Sequence, residues 1–372
     1  LKTMKKIKFL AVALAAFTLF SCSNDEIESL GNNAPGEQAV LTINLKGDGD
    51  DQAQSRALGS TTATEAQIND YLVFLFRDGG ALDCPVQKGT STSLTTTINV
   101  ATTAAKNVYV VANTGELTQG PFASVKTEAD LKNVTGTLMT ADNSASTQRD
   151  GNLWMSGTSV VAFGGTNGAD GTATVSLNFL AAKIELTVND TRQNKNNGTI
   201  QIQDQAVVLL FAGKDVKFFG ESTENSDQKA FYTGTQDYPN FSANNVTLSG
   251  QVLSDDVPIS GFTNGAVFNH FYTFGNDGNA QPTILAIKSE KTVSSGAPST
   301  IYYPLHFTMA DAGATIEPGK HYKVTVTLSG DVEAGQGGGT TDPEAPVIKS
   351  NMLVTVEAAQ WLAEVNVNKD FN

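Results

Sequence analysis

The pattern that most limits what this chain can become is a recurrence of short apolar runs, each closed by glycine, asparagine, aspartate or serine. Tyr71-Leu72-Val73-Phe74-Leu75-Phe76 is apolar throughout and stops at Arg77-Asp78-Gly79-Gly80. So short a run, ended by turn residues, reads as a fully buried strand. Residues 40–45 alternate instead and put Leu41, Ile43 and Leu45 on one face, the period-two pattern of a half-buried strand. Residues 106–112, 172–179 and 183–188 repeat these patterns, and 200–211, 267–274, 283–287, 301–307 and 321–328 continue them. Helical character is limited to a turn or two at 64–70 and 128–133. Strands separated by turn clusters predict an all-β protein.

Nothing covalent staples these strands together. Apart from Cys22 the chain has one cysteine, Cys84, so no disulfide can form within a chain processed at Cys22. Stability must come from apolar cores, and the length favours two of them. Residues 1–56 carry six of the 24 Lys and Arg and seven of the 38 Asp and Glu, leaving 18 against 31. The acidity therefore belongs to the folded part. An acidic body lacks the basic footprint that phosphate backbones require, which excludes nucleic acid as a partner.

The N-terminal segment reads as an export signal. Met4 is the expected start, Lys5, Lys6 and Lys8 are basic, and 9–20 is apolar but for Thr18. That run is about a dozen residues, right for a signal and too short to span a bilayer. It closes at Leu19-Phe20-Ser21-Cys22, where a small residue precedes a cysteine whose thiol can take a lipid. Residues 23–38 form a polar tether without apolar periodicity.

Two further features lie near the ends. The polar loop 48–55 runs into Arg56-Ala57-Leu58-Gly59, and Arg56 is the one basic residue between Lys46 and Arg77. Polar loop tips of this kind are where proteases cut. The Asp48-Gly49-Asp50-Asp51 cluster lacks the glutamate that closes a calcium loop. Near the C-terminus, residues 329–346 are rich in glycine and read as a mobile connection that cannot pack. In the segment beyond them Met352, Val354, Val356 and Ala358 share one face. After Gln360 the apolar face passes to Trp361, Ala363, Val365 and Val367. A one-residue slip reverses every side chain, so a bulge or bend is expected between two short strands. They either return to complete their own sheet or serve another molecule. Cutting after Arg56 would release the 41–45 strand and open an apolar groove with unpaired backbone groups, which a C-terminal strand of a second copy could fill. Donor and acceptor on opposite ends of one chain make a contact that propagates into a filament.

These residues resemble the fimbrillins of Bacteroidales, the type V pilins, and specifically their major stalk subunits. The resemblance rests on the lipobox at Cys22, Arg56-Ala57-Leu58-Gly59, the 71–76 strand, and Leu153-Trp154-Met155-Ser156-Gly157. Residues 180–188, 318–328 and the late Trp361 complete it. It implies two transthyretin-like β-sandwich domains with a C-terminal donor-strand extension. It implies lipidation at Cys22, residence in the outer membrane as a lipidated precursor, and cleavage between Arg56 and Ala57 by an Arg-specific or trypsin-like protease. The first strand, with Leu41, Ile43 and Leu45, would be removed. The donor would carry Met352, Val354, Val356, Ala358, Trp361, Ala363, Val365 and Val367. Expected partners are identical subunits in a surface fimbrium, together with anchor and tip subunits. The expected layout is a signal at 1–22, tether and first strand at 23–56, domains at 57–189 and 190–330, and linker with donor strands at 331–372. Residues 190–198, the most polar interior stretch, are either a long hairpin loop or a linker.

No catalytic constellation competes with this reading. His270, His306 and His321 form no metal-ligand spacing, residues 335–339 lack the strand and helix of a nucleotide loop, and Ser156 is in no nucleophile elbow. Cys84 reads as a packed thiol. Trp154 and Trp361 read as core or groove anchors. No cofactor, metal or enzymatic activity is expected. An anchor or tip accessory subunit and a monomeric carbohydrate-binding surface lipoprotein are the alternatives.

Overall fold

β-Branched and aromatic residues put most of the described chain into strands. The computed structural model describes residues 36–47, 65, 68–90, 94–115, 121–137, 153–164, 169–213, 215–219, 230–232, 247–249, 257–278, 281–294, 296–335, 337–343, 345 and 352–360, all within a single compact unit. The first block contains β1 (Gln38–Gly47), β2 (Asp70–Arg77), β3 (Gln87–Thr90), β4 (Thr95–Thr102), β5 (Ala105–Ala112), α1 (Glu128–Lys132), β6 (Thr135–Thr137), β7 (Met155–Val160), β8 (Ala162–Phe163) and β9 (Asp170–Phe179). The second contains β10 (Ala182–Asp190), β11 (Ile200–Leu210), β12 (Ala212–Gly213), β13 (Asp215–Lys217), β14 (Ala230–Tyr232), β15 (Thr247–Ser249), β16 (Val257–Pro258), β17 (Val267–Thr273), β18 (Ile284–Val293), β19 (Ser299–His306), β20 (Lys320–Leu328) and β21 (Met352–Gln360). The fold is all-β, as the strand pattern predicts.

In the first block the strands run β3-β2-β5-β7-β9-β1-β4, with β8 also on β9. β7 and β9 share only the pairs Met155↔Phe179 and Ser156↔Asn178. Beyond them the sheet forks, because β7 follows β5 while β9 follows β1. The second block has sheets β17-β10-β20-β21 and β16-β11-β18-β19. They meet across a core where Phe307 lies edge-on to Tyr322 at 5.7 Å.

Both blocks repeat one piece of wiring. β1 pairs parallel with the late strand β9 and antiparallel with β4. β10 likewise pairs parallel with the late strand β20 and antiparallel with β17. Each block therefore opens with a strand inserted between two others, and pairing passes from the first block to the second between Phe179 and Ala182. The strand before the expected boundary at 189/190 thus belongs, by its hydrogen bonds, with the strands that follow it.

Local rules explain α1, the one helix among the described residues. Thr127 caps α1 by accepting from Asp130 N, and the Asp130 side chain returns the contact to the Thr127 N–H, the reciprocal arrangement of a capping box. The expected helical turn at 64–70 is corrected in its described residues. Glu65 lies in a turn, and Asp70 already begins β2. Buried Ile68 and the bond from Asn69 N to Asn113 Oδ1, 2.8 Å, anchor the chain just before β2.

The 190–198 stretch is an ordered loop between β10 and β11. Arg192 is buried and bonds Asp190 and Asp204 at 2.8 and 2.6 Å, over the face of Tyr303. Burial alone would raise the Asp190 carboxyl, but hydrogen bonds from Arg192 and Lys195 outweigh it and hold it at about 2. The expectation that the glycine-rich 329–346 segment cannot pack is also corrected over its described part. Val332 is buried, Thr340 exchanges backbone bonds with Tyr302, and Tyr303 donates to Gly337 O. Here glycine is what permits packing, because a Cβ on Gly339 would stand 2.4 Å from Tyr302 O.

Candidate strand-exchange site

β1 fills the slot between β4 and β9. Its alternation places Leu41 and Ile43, each 0% exposed, and buried Leu45 on the inner face. They meet Ile98 of β4 and Val175 and Leu177 of β9, which are buried too. Burying three such side chains contributes roughly 5–9 kcal/mol at about 1.5–3 kcal/mol each. Parallel pairing runs unbroken from Val40↔Asp170 to Gly47↔Leu177, and the β4 side is bulged between Ala39 and Leu41. Flanking bonds from Thr103 N to Glu37 O, 2.9 Å, and from Leu45 N to Leu94 O, 2.8 Å, secure both ends. Gly171 admits Leu41, since a Cβ there would come within 3.0 Å of Leu41 Cδ1. Loss of β1 would leave two adjacent strands with unpaired backbone groups and an uncovered apolar floor.

β21 occupies the opposite kind of position. It pairs antiparallel with β20 from Leu328↔Met352 to Lys320↔Gln360 and ends that sheet. Met352 is buried and Val354 and Val356 are half-buried, while Leu353 on the other face is 65% exposed. Over 352–360 the segment takes the first of its two expected courses and returns to its own sheet, because the free edge of β20 supplies partners for its backbone. The remaining sequence-predicted positions Cys22, Arg56, Ala57, Trp361, Ala363, Val365 and Val367 lie outside the described residues. So does the side chain of Ala358, whose backbone pairs with Tyr322.

A buried polar cluster lies beneath β20. Lys183 Nζ contacts Glu65 Oε1 at 2.6 Å, and Tyr272 OH donates to the same oxygen at 2.6 Å. Glu65 is 1% exposed, so these contacts tie the segment before β2 to β10 and β17. On β20, opposite Lys183, His321 is 3% exposed and has no hydrogen-bond partner on either ring nitrogen among the described residues. Burial, then the charge of Lys183, pushes its imidazolium down to about 4, against the pull of Glu185 at 3.6 Å. His321 is therefore neutral at ordinary pH. Cys84 is buried as expected, and burial followed by the charge of Asp83 pushes its thiol up to about 12, which keeps it protonated and unreactive.

Two features of the site escape the sequence pattern. β4 opens with three threonines and lacks an apolar alternation, although threonine's β preference and Ile98 are a weak signal. Glu65 has no local signal at all, because its partners lie 118 and 207 residues away.

A family model for the C-terminal domain of FimA-like major fimbrial subunit proteins matches residues 181–361, and one for the major fimbrial subunit protein FimA matches residues 39–204. The chain is 25% identical over 409 residues to the major fimbrium subunit FimA type-2 of Porphyromonas gingivalis, covering 96% of this chain and 98% of that one. It is 26% identical over 411 residues to the type-3 subunit of the same organism, with the same coverage. A crystal structure of a proposed cell adhesion protein from Bacteroides eggerthii DSM 20697 is similar with a TM-score of 0.79 and 56% identity, over 90% of this chain and 99% of that one. A second, from Parabacteroides distasonis ATCC 8503, shares the fold at a TM-score of 0.58 and 17% identity, over 88% and 97% of the two chains.

Proposed function

The chain belongs to the FimA-like family of fimbrial subunits, and from that premise we propose that it is a stalk subunit that polymerises by exchange of a strand after proteolysis. The observation that carries this reading is the asymmetry between its end strands. β1 is paired on both sides and buried, so only cutting the chain can free it for good. β21 is paired on one side, so it can peel from β20 without dismantling a sheet. The apolar side chains of both strands recur at period two, Leu41, Ile43 and Leu45 in one and Met352, Val354 and Val356 in the other. A β21 released from one copy can therefore enter the slot that β1 vacates in the next. Residues 361–367 would extend the donor.

On this reading Cys22 carries the lipid that holds the precursor at the outer membrane. The bond between Arg56 and Ala57 is cut by an Arg-specific or trypsin-like protease, and the first strand leaves with the anchor. Identical subunits then assemble end to end, with anchor and tip subunits at the fibre's ends, into a surface fimbrium that supports adhesion and biofilm formation. The two blocks act as separate sandwich domains, with their boundary near 180–181, where strand pairing changes.

Trypsin treatment of the purified precursor, followed by electrophoresis of unheated samples in SDS, tests this. Wild type should give a ladder of high-mass species. Arg56→Ala, and a chain ending at Asp342, should stay monomeric. A normal ladder from either variant would refute strand exchange as described.

A further inference from the structure

An open sheet leaves edges, and unpaired backbone at an edge is a template for another strand. Several edges of this fold are guarded. β3 is four residues long and carries Lys88, and β16 is two residues ending in Pro258. β19 contains Pro304 and lies beside Thr340, which exchanges backbone bonds with Tyr302. β21 carries Glu357. β4 is eight residues long, ends its sheet, and has neither proline nor charge. Residues 89–105, which contain it, are uncharged throughout, on a chain whose net charge is −14.

The hydrogen-bond phase fixes which backbone groups this edge presents. Leu45 N donates to Leu94 O at 2.8 Å, so Leu94, Thr96 and Ile98 turn their backbone groups towards β1. In an antiparallel ladder the residues between them turn theirs away. Thr97, opposite Thr42, therefore directs its N–H and C=O out of the sheet, where neither finds a partner among the described residues. The same phase returns beyond the bulge. Thr103 N donates inward to Glu37 O, and Thr102 N turns outward to Asp83 Oδ2 at 2.7 Å. Asp83 thus closes one end of the edge and leaves the stretch around Thr97 open.

The side chains suit a second strand of the same kind. Thr95, Thr97 and Asn99 are exposed, and Val100 beyond them is 53% exposed. Threonine fits a pleated surface, and threonines facing each other across strands stabilise the pair. An acidic chain repels its own copies wherever its charge is displayed, so an uncharged strand is where two copies meet at least electrostatic cost. We propose that β4 pairs with β4 of a second copy, antiparallel and edge to edge, about a two-fold axis at Thr97. The contact is isologous and closes at two copies. So short a strand pairing buries less than the roughly 1,200 Å² at which stable complexes begin, so it is weak between single chains. In a fibre, which rests on the strand exchange proposed above, β4 still borders the refilled slot and recurs in every subunit. Two fibres side by side then bind through many such contacts at once.

Sedimentation equilibrium of the uncleaved chain, at concentrations up to about 1 mM, tests this. Wild type should pass from monomer to dimer and stop there, and added salt should strengthen the dimer by screening the net charge. Thr97→Lys sets two like charges together at the axis, and Thr97→Pro removes the outward N–H without touching a bond to β1. Each should weaken the dimer by about tenfold or more. Thermal unfolding of Thr97→Lys should match wild type, because the side chain is exposed. A wild type that stays monomeric would overturn the proposal, as would a Thr97→Lys dimer of wild-type affinity. A dimer that salt dissolves would also overturn it, since charge pairs would then make the contact. Trypsin ladders should be the same for Thr97→Lys and wild type. The dimer is read on uncleaved chain, so its failure leaves strand exchange standing, and missing ladders leave the dimer standing.

Discussion

Acidification should act on this protein first through His321. In the unfolded chain this imidazole takes up a proton as pH falls through its ordinary value of 6.5, whereas in the folded chain it does so only near 4. Between those values the unfolded state holds more protons, so stability declines as pH drops, and below about 4 the loss is complete. The gap from 6.5 to about 4 corresponds to about 3 kcal/mol at about 1.4 kcal/mol per pH unit. The charges that face the ring are Lys183 and Glu185 on β10, Lys323 on β20 and Glu65 of the first block. Lys183 and Lys323 oppose protonation, the two glutamates favour it, and burial decides the balance. The Asp190 carboxylate contributes in a separate window. It titrates at about 2 rather than 3.8, so its stabilisation is lost only as pH falls from about 4 towards 2. Urea unfolding of wild type and His321→Gln at several values between pH 7 and 4 separates the effects. The stability difference between the two proteins should move by about 3 kcal/mol across that range in favour of the variant. A difference that stays constant with pH would show that His321 is not buried in its neutral form, and the reasoning would fail.

Ile43→Ala should destabilise the uncleaved chain by about 2–5 kcal/mol, the cost of emptying a core site, and should leave the stability of the assembled fibre unchanged, since β1 is gone. Chemical denaturation of both forms checks this, and equal losses would mean that β1 is retained. Lys183→Met leaves Glu65 buried without its cation and should cost about 3–5 kcal/mol, whereas Lys183→Met combined with Glu65→Leu should recover most of that loss. Thermal unfolding of the single and double variants decides whether the pair is as buried as its geometry indicates.

Much of the fold is legible in local patterns because strand periodicity is a local property. The unbroken apolar run of β2, the alternation of β1 and β9, and the Thr127 capping box all follow from residues within a few positions of one another. The candidate site is half legible for the same reason. The inner face of β1 and the alternating face of β21 can be read directly, but the threonine-rich β4 that forms one wall of the slot cannot.

By itself the sequence determined that the chain is all-β, which faces of its end strands are apolar, and that no disulfide could secure them once the chain is processed at Cys22. Only the tertiary structure decided what those strands lie beside. Side-chain period says which face is buried and nothing about the partner, which is chosen by complementarity between segments far apart. Thus β1 is inserted parallel to β9 while β21 ends a sheet against β20. The packing of the described part of the 329–345 segment was hidden for a related reason, since backbone at Gly337 and Thr340 makes its hydrogen bonds to Tyr303 and Tyr302 and carries no hydrophobic signal. The Glu65–Lys183 pair joins residues 118 apart, a distance over which no pattern in the chain links one charge to the other.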